Sequence, residues 1–109
     1  MEEMGQLLPG VEKANIASGD MMPTTAGSLA LQDNYPLKDS FLVKKLREHD
    51  AIVLGKANMT EFANFMSYRM PSGYSSLGGQ VRNPHNSAKE PGGSSSGSSA
   101  QRVDHSCRM

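Results

Sequence analysis

Few side chains in this sequence are equipped for proton transfer, nucleophilic attack or metal binding, and their spacing sorts them. The three histidines, His49, His85 and His105, are scattered, and the single cysteine, Cys107, stands alone. Zinc-type sites need His and Cys at short regular spacing and disulfides need pairs, so neither a metal site nor a disulfide scaffold is expected, and Cys107 is read as incidental. The densest run of hydroxyls is Gly92-Gly93-Ser94-Ser95-Ser96-Gly97-Ser98-Ser99. By composition such a run is a flexible linker. A linker joins two domains, however, and here it would lead only into a short polar tail. A backbone nest that cradles a phosphate or an oxyanion is the other reading, and the missing Lys-Ser/Thr ending of a P-loop argues against a nucleotide. Lys56, in Gly55-Lys56-Ala57-Asn58, could touch an anion, although a lysine at a strand end is usually just solvated.

These residues must be positioned by a small frame. A chain of 109 residues suits at most one small domain, and one of that size buries about two thirds of its unfolded surface. Eleven Lys plus Arg cancel eleven Asp plus Glu, so no positive field gathers nucleic acid or acidic lipid. No stretch approaches the roughly 18 apolar residues of a membrane span, and Met1-Glu2-Glu3 opens acidic where a signal peptide would be basic. The expectation is a cytoplasmic chain without nucleic-acid or membrane partners. At 37% hydrophobic residues and a mean hydropathy of -0.49, the core is thin.

Residues 1–27 read as mostly irregular. Leu7-Leu8 and Val11 could open a strand, but Pro9-Gly10 cuts it short. Residues 24–31 allow a short helical turn, closed by Asp33-Asn34-Tyr35-Pro36. Asp39 then predicts the N-cap of a helix from Ser40 to about His49, with Leu42, Val43 and Leu46 on one face and Lys44, Lys45, Arg47 and Glu48 outward. Ala51-Ile52-Val53-Leu54 is a strand ended by Gly55, and because it is apolar on both faces it predicts a sheet covered on both sides. Asn58 or Thr60 caps a second helix, in which Met59, Phe62, Ala63 and Met66 form a stripe that is better read as core than as a substrate groove. Residues 71–99 read as loop and 101–109 as a disordered tail. Helix, strand, helix is the grammar of an α/β protein.

Several segments, in this order, resemble the amidase signature family, Ser-dependent hydrolases of carboxamide bonds. They are Lys13-Ala14-Asn15-Ile16, Met22-Pro23-Thr24-Thr25-Ala26-Gly27-Ser28, Phe41-Leu42-Val43-Lys44-Lys45-Leu46-Arg47, Leu54-Gly55-Lys56-Ala57-Asn58-Met59-Thr60-Glu61-Phe62, Pro71-Ser72-Gly73-Tyr74-Ser75-Ser76, Gly78-Gly79-Gln80, Asn83-Pro84 and Pro91-Gly92-Gly93-Ser94-Ser95-Ser96-Gly97-Ser98. The resemblance divides the chain into an irregular stretch at 1–11, a partial amidase domain at 12–100 and a polar tail outside the family pattern at 101–109. It implies an α/β fold with a mixed sheet covered by helices.

The resemblance also implies a triad of a Lys, a Ser that follows a cis peptide bond, and a second Ser that is the nucleophile. Lys13 looks like the catalytic Lys and Ser94 like the Ser after the cis bond, while Tyr74 and Ser75 lie in a segment that borders the family's substrate site. The chemistry suits the residue types. A lysine that accepts a proton must first be neutral, which burial or nearby positive charge favours. A hydroxyl can donate to that lysine while accepting from the nucleophile, so it relays a proton without holding charge. Gly93 minimises side-chain clash at the cis bond. Two departures accompany the match. Ala14 stands where the family usually has an acidic residue, and polar Gln101-Arg102-Val103-Asp104 replaces a helix of small apolar residues. The family's nucleophile lies in a Gly-Gly-Ser segment roughly two dozen residues after the cis-bond Ser, past Met109. The implied function is an incomplete amidase domain acting on a small-molecule amide without metal or organic cofactor, inactive alone. The alternative is a non-catalytic chain that binds a partner protein, of unknown identity, through exposed helix faces.

Overall fold

Two parallel strands form the frame of the computed structural model, which describes residues 8–107. Strand β1 is Leu8–Lys13 and strand β2 is Ala51–Ala57. Parallel neighbours require a crossover, and here it contains a one-turn 3-10 helix at Leu29–Leu31 and helix α1, Phe41–Glu48, which packs against β2. A second 3-10 turn follows at Glu61–Asn64. The antiparallel pair β3, Tyr74–Ser75, and β4, Gly79–Gln80, comes next, and helix α2, Ser96–Cys107, ends the described chain. The fold is mixed α/β, as the residue pattern indicates.

Strand β1 corrects the reading of residues 1–11 as irregular, of which 1–7 lie outside the described residues. Pro9-Gly10 does not end the strand. Leu8, Pro9 and Gly10 pair with Ala51, Ile52 and Val53, after which Val11 pairs with Gly55, so the register shifts between Gly10 and Val11. A proline without an N–H followed by glycine is tolerated at such an irregularity.

Helix α1 lies where the apolar spacing puts it, with its cap one residue later than expected. Ser40, not Asp39, accepts from Val43 N–H. Asp39 is engaged elsewhere: it accepts from Gly19 N–H at 2.7 Å and pairs with Arg47 at 3.0 Å. Val43 is fully buried while Leu42 and Leu46 are exposed. Strand β2 runs through Gly55 to Ala57, and it is not covered on both faces, since Ile52 is 38% and Leu54 66% exposed.

Two further expectations fail. The helix expected over Met59, Phe62, Ala63 and Met66 is a tight turn in which Phe62 and Ala63 have φ of 44° and 55°. Tertiary bonds override the helical period there: Phe62 N–H donates to Ala26 O, and the Glu61 carboxylate accepts from Ser76 N–H. The tail expected to be disordered from 101 is instead helix α2 as far as Cys107, which also takes Ser96–Ser99 out of the expected loop. Its first turn is anchored by Gly97 N–H on Asn58 O and Ser99 N–H on Ser95 O. Alanine, glutamine and arginine then propagate it at little intrinsic cost.

Candidate functional site

Lys13 is the last residue of β1 and pairs in register with Ala57, the last residue of β2. The next residue is tied to the same place, with Ala14 N–H donating to Ala57 O at 3.1 Å. Ser94 arrives from the far end of the chain, and the Gly93–Ser94 peptide bond is cis. Lys13 Nζ lies 2.8 Å from Ser94 Oγ across a separation of 81 residues, and the contact is partly buried. An ammonium can only donate in that contact, whereas a neutral amine can accept from the hydroxyl.

The Ser-rich turn is held by the segment that leaves β2. Thr60 N–H donates to Ser94 O, and Asn58 O accepts from Gly97 N–H, each at 3.0 Å. Thr60, 1% exposed, also accepts at Oγ1 from Gly73 N–H at 2.8 Å. Glycine is required at both ends of the turn. A Cβ on Gly93 would stand 2.7 Å from Thr60 Oγ1, and one on Gly97 would run into Asn58 O.

Tyr74 and Ser75 are placed differently. Ser75 is fully buried, and its hydroxyl donates to Asn58 Oδ1 at 2.8 Å and accepts from Gly78 N–H at 2.9 Å. Its partners are thus Asn58 and Gly78, not Lys13 or Ser94. Tyr74 is half exposed beside a hollow of about 470 Å³ shared with Glu61, Met66, Arg69 and Met70. A second cavity, about 310 Å³, opens against Ala14, Met22, Lys56, Asn58 and Leu77.

Four charged groups around the frame are perturbed. Burial alone would raise Asp20, but Met22 N–H, the Ser18 hydroxyl and Arg47 hold it below its ordinary value. Glu12, on β1 beside Lys13, is buried, and neither of its carboxylate oxygens has a hydrogen-bond partner among the described residues. Burial raises its pKa, against the opposing pull of Lys56. Lys56 sits opposite Glu12 in the strand register and donates to Ile16 O at 2.8 Å and Thr24 Oγ1 at 2.7 Å. Burial lowers its pKa, with Glu12 and Asp20 pulling the other way. These bonds give Lys56 a structural task that its position at a strand end did not announce. Burial alone would raise Glu61, but the Ser76 N–H and the Ser28 and Ser76 hydroxyls hold it below its ordinary value. No three His, Cys, Asp or Glu side chains gather to hold a metal, and no helix is long and apolar enough to cross a membrane, among the described residues.

The backbone that brings Lys13 to Ser94 superposes on solved amidases of similar sequence. With the peptide amidase of Stenotrophomonas maltophilia the TM-score is 0.78 and the identity 49%, covering 83% of this chain and 18% of that one. An amidase family protein of Bacillus anthracis gives a TM-score of 0.79 and 47% identity over the same shares. Residues 8–101 match the family model described as Amidase. The chain belongs to the amidase family. A relative from Nitratidesulfovibrio vulgaris, named as part of the glutamyl-tRNA(Gln) amidotransferase, is 48% identical over 85 residues, 78% of this chain and 16% of that protein. The chain spans less than a fifth of the length of the curated relatives it matches, for example 18% of a probable amidase of Arabidopsis thaliana and 16% of a putative amidase of Schizosaccharomyces pombe.

Asn58 and Thr60 were legible only as helix caps, and Glu12 and Glu61 were not singled out. Their one sequence signal was position: both carboxylates stand inside apolar or small-residue segments, where a charge is rarely left without a task.

Proposed function

We propose that these residues are the base-and-relay half of a Ser-dependent amide hydrolase. The observation that carries this reading is the 2.8 Å contact between Lys13 Nζ and Ser94 Oγ, with Lys13 as general base and Ser94 as relay. The nucleophilic serine is supplied by the Gly-Gly-Ser segment that follows in the family. As its oxygen attacks the amide carbon, its proton passes to Ser94 and the Ser94 proton to Lys13. The same path then returns a proton to the leaving nitrogen, so the C–N bond breaks with release of ammonia or an amine. An acyl-serine remains, and water attacks it to give the carboxylic acid. The substrate is a small-molecule carboxamide, and the residue roles need no metal or organic cofactor. Tyr74 and Ser75 belong to the wall of the substrate site, Ser75 by fixing Asn58 rather than by exposing its hydroxyl. We place the activity in the cytoplasm.

On this reading the 109-residue polypeptide alone releases no ammonia from a panel of aliphatic and aromatic amides, because the acyl-forming oxygen lies in the following segment. Transplanting residues 8–101 into the S. maltophilia peptide amidase, in place of the matching segment, should give an enzyme that releases ammonia and stops doing so with Lys13→Ala. Amide hydrolysis by the isolated chain, or full activity of the Lys13→Ala chimera, would contradict it.

A second reading, a chain that binds a partner protein, draws on Phe41 and Leu42 of α1, which are 77% and 51% exposed. It assigns no task to the Lys13–Ser94 contact, and Phe41→Asp would abolish the association while leaving that contact intact.

A further inference from the structure

Lys13 and Ser94 are carried by different segments, and a third segment touches both. Residue 57 closes β2 and holds the Lys13 side through Ala14 N–H, while Asn58 and Thr60 hold the Ser94 side through Gly97 N–H and Ser94 O. The centre of this bracket is buried, since Met59 and Thr60 are 0% and 1% exposed. The Asn58 side chain reaches Ser75, and the Thr60 side chain reaches a further loop by accepting from the buried Gly73 N–H. The same oxygen abuts Gly93, so the Thr60 hydroxyl fills the wedge between the loop at Gly73 and the Gly93–Ser94 turn.

The geometry points to Thr60 as a positioning residue, whose hydroxyl sets the placement of the Gly93–Ser94 turn and with it the reach from Ser94 Oγ to Lys13 Nζ. The inference rests on the reading that the Lys13–Ser94 pair is the working contact, and it adds a residue that touches neither reacting atom. Replacing Thr60 by valine keeps the branched shape but leaves Gly73 N–H buried without an acceptor, a costly state that the loop relieves by moving. The turn that leans on the same oxygen then shifts too. Serine at this position keeps the acceptor.

The reach can be read in the 109-residue chain without catalysis. Limiting acetic anhydride acylates a lysine through its neutral amine, releasing acetate and a proton, and peptide mass spectrometry gives the rate at each lysine. An amine held in a hydrogen bond is protected. Ser94→Ala should raise the Lys13 rate, and Thr60→Val should raise it roughly two- to tenfold, the range for freeing one ordinary hydrogen bond. Thr60→Ser should restore the wild-type rate, and the rate at Lys56, bonded to Ile16 O and Thr24 Oγ1 on the same sheet, should stay constant throughout. An unchanged Lys13 rate in Thr60→Val, a parallel rise at Lys56, or no rescue by serine would overturn the positioning role. An unchanged Lys13 rate in Ser94→Ala would instead remove the pair itself, and the proposed function with it.

Discussion

At the scale of single residues, two of the perturbed carboxyls, Glu61 and Glu12, make opposite predictions about pH. Glu61 has a folded pKa below its ordinary 4.5, so its contribution to stability is complete above that value and is lost as pH falls through the lower, folded value. The thermal stability of the chain should therefore fall on acidification, and Glu61→Gln should flatten that acid limb; an unchanged limb would show that the three donors do not hold the charge. Glu12 runs the other way. Its folded pKa lies above 4.5, so its contribution is complete below that value and declines as pH rises through the folded value. Glu12→Gln should remove that decline and make the chain relatively more stable at neutral pH, measured as the difference in midpoint between acidic and neutral buffer. A variant that loses stability at neutral pH would mean that the ionised carboxylate has a partner after all.

Among the elements, the bracket after β2 matters more than either helix. Met59 is fully buried there, and truncation of a buried methionine costs about 2–5 kcal/mol. Met59→Ala should lower the urea midpoint accordingly, whereas Ser40→Ala, which removes the cap of α1, should cost about 1 kcal/mol. Equal small effects would place the core elsewhere. This ranking was not visible in the sequence, although much of the frame was. Helix α1 and the start of β2 followed from the spacing of Leu42, Val43 and Leu46 and from the Ile52-Val53 run, because those signals are local. The turn at Glu61–Asn64 carries an equally clear helical stripe and is not a helix, because bonds to Ala26 and Ser76, distant in sequence, fix its backbone. Pro9-Gly10 misled for the converse reason: a local breaker is accommodated once a neighbouring strand supplies a register shift. Lys13 and Ser94 were legible only through the resemblance, since no periodicity relates residues so far apart.

Across the whole molecule, the described residues form a thin plate, 55 × 37 × 17 Å. Its buried apolar side chains are Ala14, Val43 and Met59, while Phe41, Leu54, Phe65 and Tyr68 are exposed by 66% or more. Apolar surface of that kind is what a domain buries against further layers, and this chain covers only 18% of the solved S. maltophilia amidase on which it superposes. The isolated chain should bind a hydrophobic reporter dye under native conditions, and grafting into the S. maltophilia amidase should abolish that binding; a dye-silent isolated chain would mean that these faces are already satisfied.

The central claim, that Lys13 and Ser94 act as one unit, is tested most directly by a double-mutant cycle on the amide hydrolysis rate of the grafted enzyme. If Lys13 is the base and Ser94 its relay, each alanine substitution alone should collapse the acylation rate, and the double substitution should cost little more than either. Two modest losses that simply add would show a surface lysine and a loop serine with no shared task, and would contradict the account.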